Sequence, residues 1–324
     1  MADLLILGGT RFVGRHITAA ALAFGHRVTL FNRGRTAPGL FPEAEKLRGD
    51  RGRDLAALDG RRWDAVIDVN AYLPRQVRAT AERLRDAVDR YVFISTISVY
   101  RDLSVPGAAE ESPLEEPGPG DEDAREVGPG AYGRLKVLCE RTAEAALPGR
   151  VLHVRPCIVA GPHDPTGRFT YWVDRVARGG EVLAPGRPER AVQLIDARDL
   201  AAWVVGMTER RETGVYNTVG PERVLPMRDL LETCRSASGS DAAFTWVSEA
   251  FLEKHGLRLP LGHPEGYAVD SSKAQAHGLT FHPLAETVRD VLSWNAPLEE
   301  RDSDKLPPGR EADLLREWHA RGTT

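Results

Sequence analysis

Five short apolar runs, separated by stretches with helical period, limit the folds open to this chain more than any other feature of its sequence. Each run is rich in β-branched residues and largely lacks polar alternation, a pattern typical of strands buried on both faces of a parallel sheet. The runs are LLILG (4–8), RVTLFN (27–32), DAVIDV (64–69), YVFIST (91–96) and RVLHVRP (150–156). This alternation predicts an α/β fold with a doubly wound, Rossmann-like parallel sheet, whose ligands bind at the carboxyl ends of the strands.

A glycine-rich turn joins the first predicted strand to the first predicted helix, in the sequence LLILGGTRFVGRHI. Gly8 would permit a tight turn and the close approach of a pyrophosphate, and Gly14 would let the helix pack on the strand. The phosphates would then lie at the N-terminus of the helix. The turn therefore predicts a dinucleotide site. The residues assigned to this part of the site are Gly8, Thr10, Arg11, Phe12, Val13 and Gly14.

The end of the second predicted strand bears on the choice of cofactor. An NAD site usually has Asp or Glu there to bind the ribose 2′-hydroxyl, whereas an arginine can accommodate the 2′-phosphate of NADP. Here the strand ends at Asn32 and Arg33 without a carboxylate, and Arg11 could reach the same phosphate. The sequence therefore favours NADP, while NAD stays open. Asp50 is assigned to the adenine edge, with capping of the following short helix as the alternative.

The alternating pattern loosens after residue 160, and this change predicts how the chain divides. Residues 1–160 are expected to form the dinucleotide-binding Rossmann domain, and residues 190–219 are expected to return to it. Residues 161–189 and 220–324 are expected to form a smaller C-terminal, substrate-binding lobe. The residues assigned to substrate contact are Arg168, Arg190 and Gln193, of which Arg190 would suit a phosphate-bearing substrate.

Composition and charge argue against several kinds of partner. The formal net charge is −4, so neither a nucleic acid nor an anionic membrane is an expected partner. Cys139, Cys157 and Cys234 lie far apart, which predicts no metal site and no disulfide. No apolar run approaches the roughly 20 residues of a membrane span, and the N-terminus does not resemble a signal peptide. We expect a cytoplasmic protein with a small-molecule substrate, and a homodimer stays open.

Residues 102–130 interrupt the strand and helix rhythm with five prolines and nine acidic residues. Such a segment has too few large apolar residues to bury a core. We interpret it as a solvated surface loop. The alternative is a lid or a subunit contact, because the segment joins the fifth predicted strand to the helix that carries Tyr132.

Lysine is rare in this chain, since five of the 43 basic residues are Lys and the rest are Arg. One of the five, Lys136, follows Tyr132 by four residues on a predicted helix, so the two side chains share a face. A neighbouring ammonium would lower the pKa of the phenol, which is ordinarily about 10. Tyr132 could then take a proton from a substrate hydroxyl as hydride leaves its carbon. Thr96, at the carboxyl end of the fifth predicted strand, could hold the substrate oxygen.

These features resemble the short-chain dehydrogenase/reductase superfamily, and in particular its extended, atypical members of the NAD-dependent epimerase/dehydratase-like family. The resemblance extends from residue 1 to about residue 300. The motifs that carry it are GGTRFVG (8–14), IST (94–96) followed by VY, YxxxK (132–136), RPCIVAGP (155–162) and IDARDLA (195–201). It implies that Thr96, Tyr132 and Lys136 form a catalytic trio. It also implies that Pro156, Ile158 and Val159 flank the nicotinamide.

The remaining residues assigned to cofactor contact are Arg51, Asn70, Ala71, Tyr72 and Ser95, together with Tyr132 and Lys136 of the trio. Two departures from the family pattern matter. Arg11 takes the place of the middle glycine in the turn, so the cofactor preference of typical epimerases does not carry over. Ile97 and Ser98 follow Thr96, where the sugar-nucleotide dehydratases usually have Asp-Glu, so elimination of water is not expected.

The sequence thus predicts an NAD(P)-dependent oxidoreductase or epimerase, acting on a secondary alcohol or ketone of a sugar or nucleotide-linked substrate. Epimerisation and net oxidation or reduction use the same trio, so the sequence does not separate them. One alternative is an NADPH-dependent reductase of a non-sugar carbonyl metabolite. Another is a non-catalytic relative that senses NAD(P) or binds RNA, although an intact trio and the acidic charge balance argue against it.

Overall fold

The computed structural model describes residues 1–261, 268–295 and 306–321. Its strands are β1 (Asp3–Leu7), β2 (Arg27–Asn32), β3 (Glu45–Arg48), β4 (Trp63–Asp68), β5 (Val88–Ile94), β6 (Val151–Pro156), β7 (Ile158–Ala160), β8 (Glu181–Pro185), β9 (Ala191–Val192), β10 (Leu194–Asp196), β11 (Gly214–Thr218), β12 (Leu225–Pro226) and β13 (Ala243–Val247). Its helices are α1 (Phe12–Ala23), α2 (Pro74–Leu84), α3 (Tyr132–Ala146), α4 (Thr170–Ala177), α5 (Ala197–Glu209), α6 (Met227–Ser238), α7 (Glu249–Lys254), α8 (Ser272–Ala276), α9 (Leu284–Asn295) and α10 (Pro308–Arg321).

Seven strands form one parallel sheet in the order β11-β6-β5-β4-β1-β2-β3. The five apolar runs correspond to β1, β2, β4, β5 and β6, so the predicted doubly wound α/β fold is confirmed. The chain order reverses at β1, because β2 and β3 continue on one side of it and β4 to β6 on the other. Sheets of this kind bind ligands at the carboxyl ends of the strands beside such a reversal. The glycine turn follows β1 and therefore lies at this position.

The edge strand β3 was not predicted from the sequence. It has only four residues, EKLR, of which Leu47 alone is buried. A short strand with charged side chains is a common form for the edge of a sheet, where one side of the backbone faces solvent. The pairing with β2 is what makes it a strand, and that contact is not visible in the local sequence.

The chain forms two compact units. Unit 1 comprises Met1–Val159, Ala197–Gly220 and Val269–Thr280, and unit 2 comprises Ala160–Asp196, Pro221–Ala268 and Phe281–Thr324. Unit 1 contains the seven-stranded sheet. In unit 2, β8 pairs with β13 and β9 with β12. No helix in the described ranges is both long and apolar enough to cross a membrane.

Residues 102–130 are held by specific contacts within unit 1. Leu114 forms a β-bridge with Tyr100, and Ala108 forms one with Val269. The carboxylate of Glu110 accepts a hydrogen bond from the backbone N of Asn217 at 2.8 Å. These contacts fix the first half of the segment against the sheet, so it is not simply a solvated loop as its composition indicated.

A buried ion pair connects α3 to the sheet. The carboxylate of Glu140 accepts two hydrogen bonds from Arg155 of β6, at 3.0 and 2.7 Å. Arg155 also donates to the hydroxyl of Tyr100 at 2.9 Å, and Tyr100 donates to Asn217 of β11 at 2.7 Å. Burial alone would raise the pKa of Glu140, but the hydrogen bonds and charge of Arg155 hold it below its ordinary value. The pair thus fixes the helix that carries Tyr132 and Lys136.

Candidate active site

The glycine turn after β1 has the geometry of a narrow cradle. Gly8 and Gly9 have φ values of 117° and 85°, which residues with a Cβ rarely adopt. A Cβ on Gly14 would lie 2.8 Å from the backbone N of Gly9, so the close contact between α1 and the turn requires glycine there. Gly9 was missed by the sequence analysis, although its place beside Gly8 was visible. The hydroxyl of Thr18 donates to the carbonyls of Gly9 and Gly14, at 3.0 and 2.8 Å, and stabilises the turn.

The end of β2 lies against this turn. The side chain of Asn32 donates to the carbonyl of Gly8 at 2.9 Å and accepts from the backbone N of Gly34 at 2.8 Å. Arg33 and Arg11 are exposed. Asn32 therefore supports the glycine turn through both of its amide atoms.

Asp50 follows β3 at the same edge of the sheet. Its carboxylate accepts a hydrogen bond from the backbone N of Gly52 at 2.9 Å. The carboxylate therefore stabilises its own turn, whereas Asp54 accepts the hydrogen bond from the backbone N of Ala56 at the start of the short helix Ala56–Leu58. Contact with an adenine stays a prediction.

Arg51 pairs with a buried carboxylate, and its contact with a cofactor stays a prediction. Its guanidinium donates two hydrogen bonds to the carboxylate of Asp68, at 2.7 and 2.6 Å, and Tyr91 donates a third at 2.6 Å. Burial alone would raise the pKa of Asp68, but the charge and hydrogen bonds of Arg51 hold it below its ordinary value. Arg51 is thus the partner of a buried carboxylate. Local sequence patterns do not indicate this pairing, because the two residues are 17 positions apart.

The Arg51 guanidinium also orients Asn70. One of its nitrogens donates to Oδ1 of Asn70 at 3.0 Å. The Asn70 side chain lies over the glycine turn, because a Cβ on Gly8 would be 3.6 Å from its Cγ and Nδ2. The Nδ2 and Oδ1 atoms of Asn70 would lie at similar distances from that Cβ, 3.6 and 3.8 Å. Ala71 is buried and Tyr72 exposed in the segment that follows.

Thr96 caps a short turn at the carboxyl end of β5. Its hydroxyl accepts a hydrogen bond from the backbone N of Ser98 at 3.1 Å and lies 3.2 Å from the Ser98 hydroxyl. Residues Ile97–Val99 form a 3₁₀ turn behind it. Thr96 and Ser95 are both largely buried, at 8% and 4% exposure. Thr96 therefore lies at the carboxyl end of β5, as the sequence predicted.

Gly133 brings α3 into direct contact with this turn. A Cβ on Gly133 would lie 2.1 Å from the carbonyl oxygen of Ser98. The backbone of α3 therefore touches the turn behind Thr96 just where Tyr132 begins the helix. Gly133 was not among the residues predicted for the site. A glycine inside a helix is unfavourable, and that cost is a signal that could have indicated the close approach.

The ammonium of Lys136 is buried at the same strand end. Its Nζ donates to the carbonyl of Ile94 at 2.8 Å and lies 4.6 Å from the centre of the Phe93 ring. The Tyr72 ring is 5.3 Å from the same Nζ, and its centre is 6.3 Å from that of Tyr132. The three aromatic rings and the ammonium thus form one cluster at the carboxyl end of β5.

Burial lowers the pKa of Lys136 from its ordinary 10.5 to about 8, because removal from water disfavours the charged form. Nearby groups, including Asp68 and Glu140, offset only part of this effect. Both carboxylates are paired with arginines. No ion pair within the described ranges joins either of them to Lys136.

The residues assigned to the nicotinamide follow β6 directly. Pro156 ends β6, and Ile158 and Val159 belong to β7. Ile158 is half-buried and Val159 is buried. Their contact with a cofactor stays a prediction.

The three residues assigned to the substrate belong to unit 2. Arg190 is buried, and its guanidinium pairs with Glu249 at 2.8 Å and donates to the carbonyl of Leu261 at 3.2 Å. Arg168 is exposed, and Gln193 is half-buried. The ion pair gives Arg190 a structural partner that the sequence did not reveal, and its proposed contact with a substrate phosphate stays untested.

Comparison with known proteins places this geometry in a family. The NAD-dependent epimerase/dehydratase family matches residues 57–219, half of the chain, so the chain belongs to that family. This family contains the extended short-chain dehydrogenase/reductase proteins that the motifs resemble, and the predicted family is confirmed. The match includes β4 to β6, α2, α3 and the trio, but not the glycine turn.

Solved epimerases share the fold. The structure of UDP-N-acetylglucosamine 4-epimerase from Bacillus cereus is 18% identical and gives a TM-score of 0.70, over 91% of this chain and 100% of that one. UDP-glucuronic acid 4-epimerase from the same organism, solved in complex with NAD, is 17% identical with a TM-score of 0.70, over 92% of this chain and 100% of that one. At these identities the likeness shows the fold.

One relative is named for stem-loop binding and not for an enzyme activity. The chloroplast stem-loop binding protein of 41 kDa b from Arabidopsis thaliana is 24% identical over 262 residues, which are 73% of this chain. The match spans 63% of the length of that relative. It is thus similar over the greater part of this chain, and it extends beyond the matched region.

We expect Gly133→Ala to destabilise the protein by about 1–3 kcal/mol, because its Cβ would overlap a backbone oxygen and α3 would have to move away from the turn. The matched control is Gly206→Ala in α5, where the nearest atom to a new Cβ is 3.5 Å away. That change should leave the free energy of unfolding unchanged or raise it by up to about 1 kcal/mol, because alanine has a higher helix propensity than glycine. Urea denaturation measures both. Equal effects of the two substitutions would contradict the proposed close approach.

We expect Lys136→Met to stabilise the apo protein at pH 7 by about 2 kcal/mol, because a shift of this size represents roughly 3 kcal/mol and the lost hydrogen bond offsets part of it. The folded pKa is lowered, so the wild type carries the full cost of the buried charge below about pH 8. As the pH rises above that value the folded state loses this proton first, and the stability gap should shrink. Urea denaturation at pH 7 and 9.5 measures the gap. A less stable variant at pH 7 would refute the argument.

Proposed function

We propose that this chain is an NAD(P)-dependent oxidoreductase or epimerase acting on a secondary alcohol or ketone of a sugar or nucleotide-linked substrate. The observation that carries the proposal is the buried ammonium of Lys136, four residues after Tyr132 on α3. An ammonium has three N–H donors, and among the described residues Ile94 alone accepts a hydrogen bond from it. A buried charge whose N–H donors lack acceptors costs free energy unless a ligand supplies those acceptors. The hydroxyls of a nicotinamide ribose would supply the missing acceptors.

The residues around the strand ends fit a dinucleotide. Gly8 would let a pyrophosphate approach the N-terminus of α1, where backbone N–H groups favour anions, and Gly14 lets that helix pack against the turn. The side chain of Asn70 lies over the same turn and is held by Arg51. When bound, the nicotinamide supplies the hydride acceptor or donor. The protein would hold the cofactor and the substrate in position and would transfer the proton.

In the proposed reaction Tyr132 is the acid and base. Thr96 would hold the substrate oxygen by a hydrogen bond, and Tyr132 would take the proton of that oxygen as the alcohol becomes a carbonyl. In the reverse direction Tyr132 would return the proton to the oxygen. Lys136 favours the phenolate by its positive charge. Ile97 and Ser98 supply no carboxylate beside Thr96, so elimination of water is not part of the proposal.

The choice of cofactor rests on charges at the end of β2. The family and the solved relative with NAD support NAD as a ligand. NADP is favoured by the chain itself, because β2 ends without a carboxylate and the exposed Arg33 and Arg11 could reach a ribose 2′-phosphate. We propose that the site accepts NADP. Mass spectrometry of the nucleotide released on denaturation tests this directly, and stoichiometric NAD would count against it.

We expect Tyr132→Phe to reduce turnover by about 10²–10⁴-fold, the usual contribution of a general acid or base, while cofactor affinity changes little. The assay is single-turnover reduction or oxidation of bound cofactor with a panel of nucleotide sugars and simple ketones. Tyr216→Phe is the matched control, because Tyr216 is a buried tyrosine of β11 that packs on Trp203. Unchanged turnover in Tyr132→Phe would sink the assignment of the proton to this phenol.

Nucleic-acid binding is a second candidate function, and the named stem-loop binding relative is the observation that favours it. The net charge of −4 and the absence of a basic stripe in the sequence weigh against it. An electrophoretic mobility shift with a stem-loop RNA separates the two. Salt-sensitive binding that survives Tyr132→Phe, together with no turnover on any carbonyl or sugar, would favour the second candidate over the first.

A further inference from the structure

Tyr72 places an exposed aromatic ring beside the catalytic trio. Of the tyrosines that the structure describes, it alone is exposed, at 46%. The residues on either side of it, Ala71 and Leu73, are buried, and its backbone N donates to the side chain of Gln76 at 3.1 Å. The place of this ring is therefore fixed by its own backbone and by the first turn of α2, and not by burial of the ring.

The segment that carries Tyr72 also packs on the start of α3. Leu73 forms one buried cluster with Ala131 and Leu135. The ring of Tyr72 is inclined by 41° to that of Tyr132, with 6.3 Å between the ring centres. Tyr72 thus has a defined place beside the helix that carries Tyr132 and the catalytic lysine.

The ring of Tyr72 lies over the ammonium of Lys136. The ring centre is 5.3 Å from Nζ, within the roughly 6 Å over which an aromatic ring attracts a cation. Phe93, the other ring near Nζ, is fully buried, so Tyr72 is the one of the two that borders solvent. Lys136 itself is only 2% exposed. Removal of the Tyr72 ring would therefore admit water to a charge that is now almost entirely covered.

The ring of Tyr72, and not its hydroxyl, makes this contact. Within the described ranges the hydroxyl has no hydrogen-bond partner, whereas the ring lies over Nζ of Lys136. Phenylalanine has the same ring, so it would cover the ammonium equally well. Alanine would leave the space to water.

Other titratable groups also act on Lys136, but they are fixed away from solvent. Asp68 is paired with Arg51, and Glu140 with an arginine of β6. Cys139 is buried on the next turn of α3, and burial raises the pKa of its thiol to about 12, so it is neutral at pH 7. Substitution of the exposed ring leaves these partners in place. A change in the protonation of Lys136 would then report on the ring.

We propose that Tyr72 is a positioning residue whose ring keeps water away from the Lys136 ammonium and so holds an unscreened charge beside Tyr132. A charge acts more strongly on its neighbour when water is excluded from the space around both. The role in proton transfer rests on the proposed function, whereas the contact between ring and ammonium does not. It also differs from the cofactor contact predicted for Tyr72, because it acts in the protein without a ligand.

Loss of the ring would change the protonation of Lys136 in a defined direction. Water beside the ammonium would remove part of the burial that lowers the pKa of Lys136, so this pKa would rise from about 8 toward its ordinary 10.5. The attraction between ring and cation would also be lost, but hydration of the ammonium outweighs it. Water would screen the charge as well, so Tyr132 would lose its proton less readily.

A double-mutant cycle without cofactor tests the contact. Urea denaturation at pH 7 gives the difference in the free energy of unfolding between Lys136→Met and the lysine form, in the wild type, in Tyr72→Ala and in Tyr72→Phe. We expect Tyr72→Ala to reduce this difference by about tenfold in the equilibrium constant, equivalent to about 1.4 kcal/mol, and Tyr72→Phe to preserve it. Phe24→Ala, which removes a similarly exposed ring at the end of α1, is the control and should also preserve it. An unchanged or larger difference in Tyr72→Ala would overturn the proposal.

The pH profile of turnover tests the role in proton transfer. In alcohol oxidation, activity rises with pH as Tyr132 becomes able to accept a proton. We expect Tyr72→Ala to move this rise to higher pH by about one unit, and Tyr72→Phe to leave it at the wild-type position. A profile that does not move in Tyr72→Ala would refute the positioning role. If the wild type turned over no substrate, the proposed function would fail, and the urea cycle would still decide whether the ring covers Lys136.

Discussion

The hydrogen bond from the buried Lys136 ammonium to the carbonyl of Ile94 is the interaction on which the site depends. It joins α3 to the carboxyl end of β5, two residues before Thr96. The ammonium is compact enough to sit between the rings of Phe93 and Tyr72. A planar guanidinium has a different shape and five fixed donors, which this position could not satisfy in the same way. This explains why a chain with only five lysines among 43 basic residues uses one of them here.

Local patterns in the sequence predicted the elements that depend on local geometry. The strands β1, β2, β4, β5 and β6 are continuous apolar runs. The placement of Tyr132 and Lys136 on one face of α3 follows from helical spacing alone. What the sequence could not show depends on contacts between distant segments. The sequence did not show that Arg51, one of the residues assigned to cofactor contact, pairs with Asp68 at the end of β4. The edge strand β3 exists through its pairing with β2.

The structure of the acidic segment, residues 102–130, also depends on contacts that its local sequence does not show. Its composition indicated a solvated loop, and many of its residues are indeed exposed. Its first half is nevertheless fixed by Glu110, whose carboxylate accepts from Asn217 and whose carbonyl accepts from Arg155. Arg155 in turn holds Glu140 of α3. A segment too polar to form a core can therefore be ordered by a few buried polar contacts, and composition does not reveal which residues make them.

The arginine pairs of Asp68 and Glu140 also explain how Lys136 stays available to a ligand. Both carboxylates are buried in the same region and both affect the pKa of Lys136. If either were unpaired, the ammonium would be its natural partner, and the resulting ion pair would occupy the donors that a ribose needs. Arg51 and Arg155 neutralise the two carboxylates instead. The chain therefore uses two arginines, each a strong and permanently charged partner, to keep one lysine buried and charged without an ion pair among the described residues.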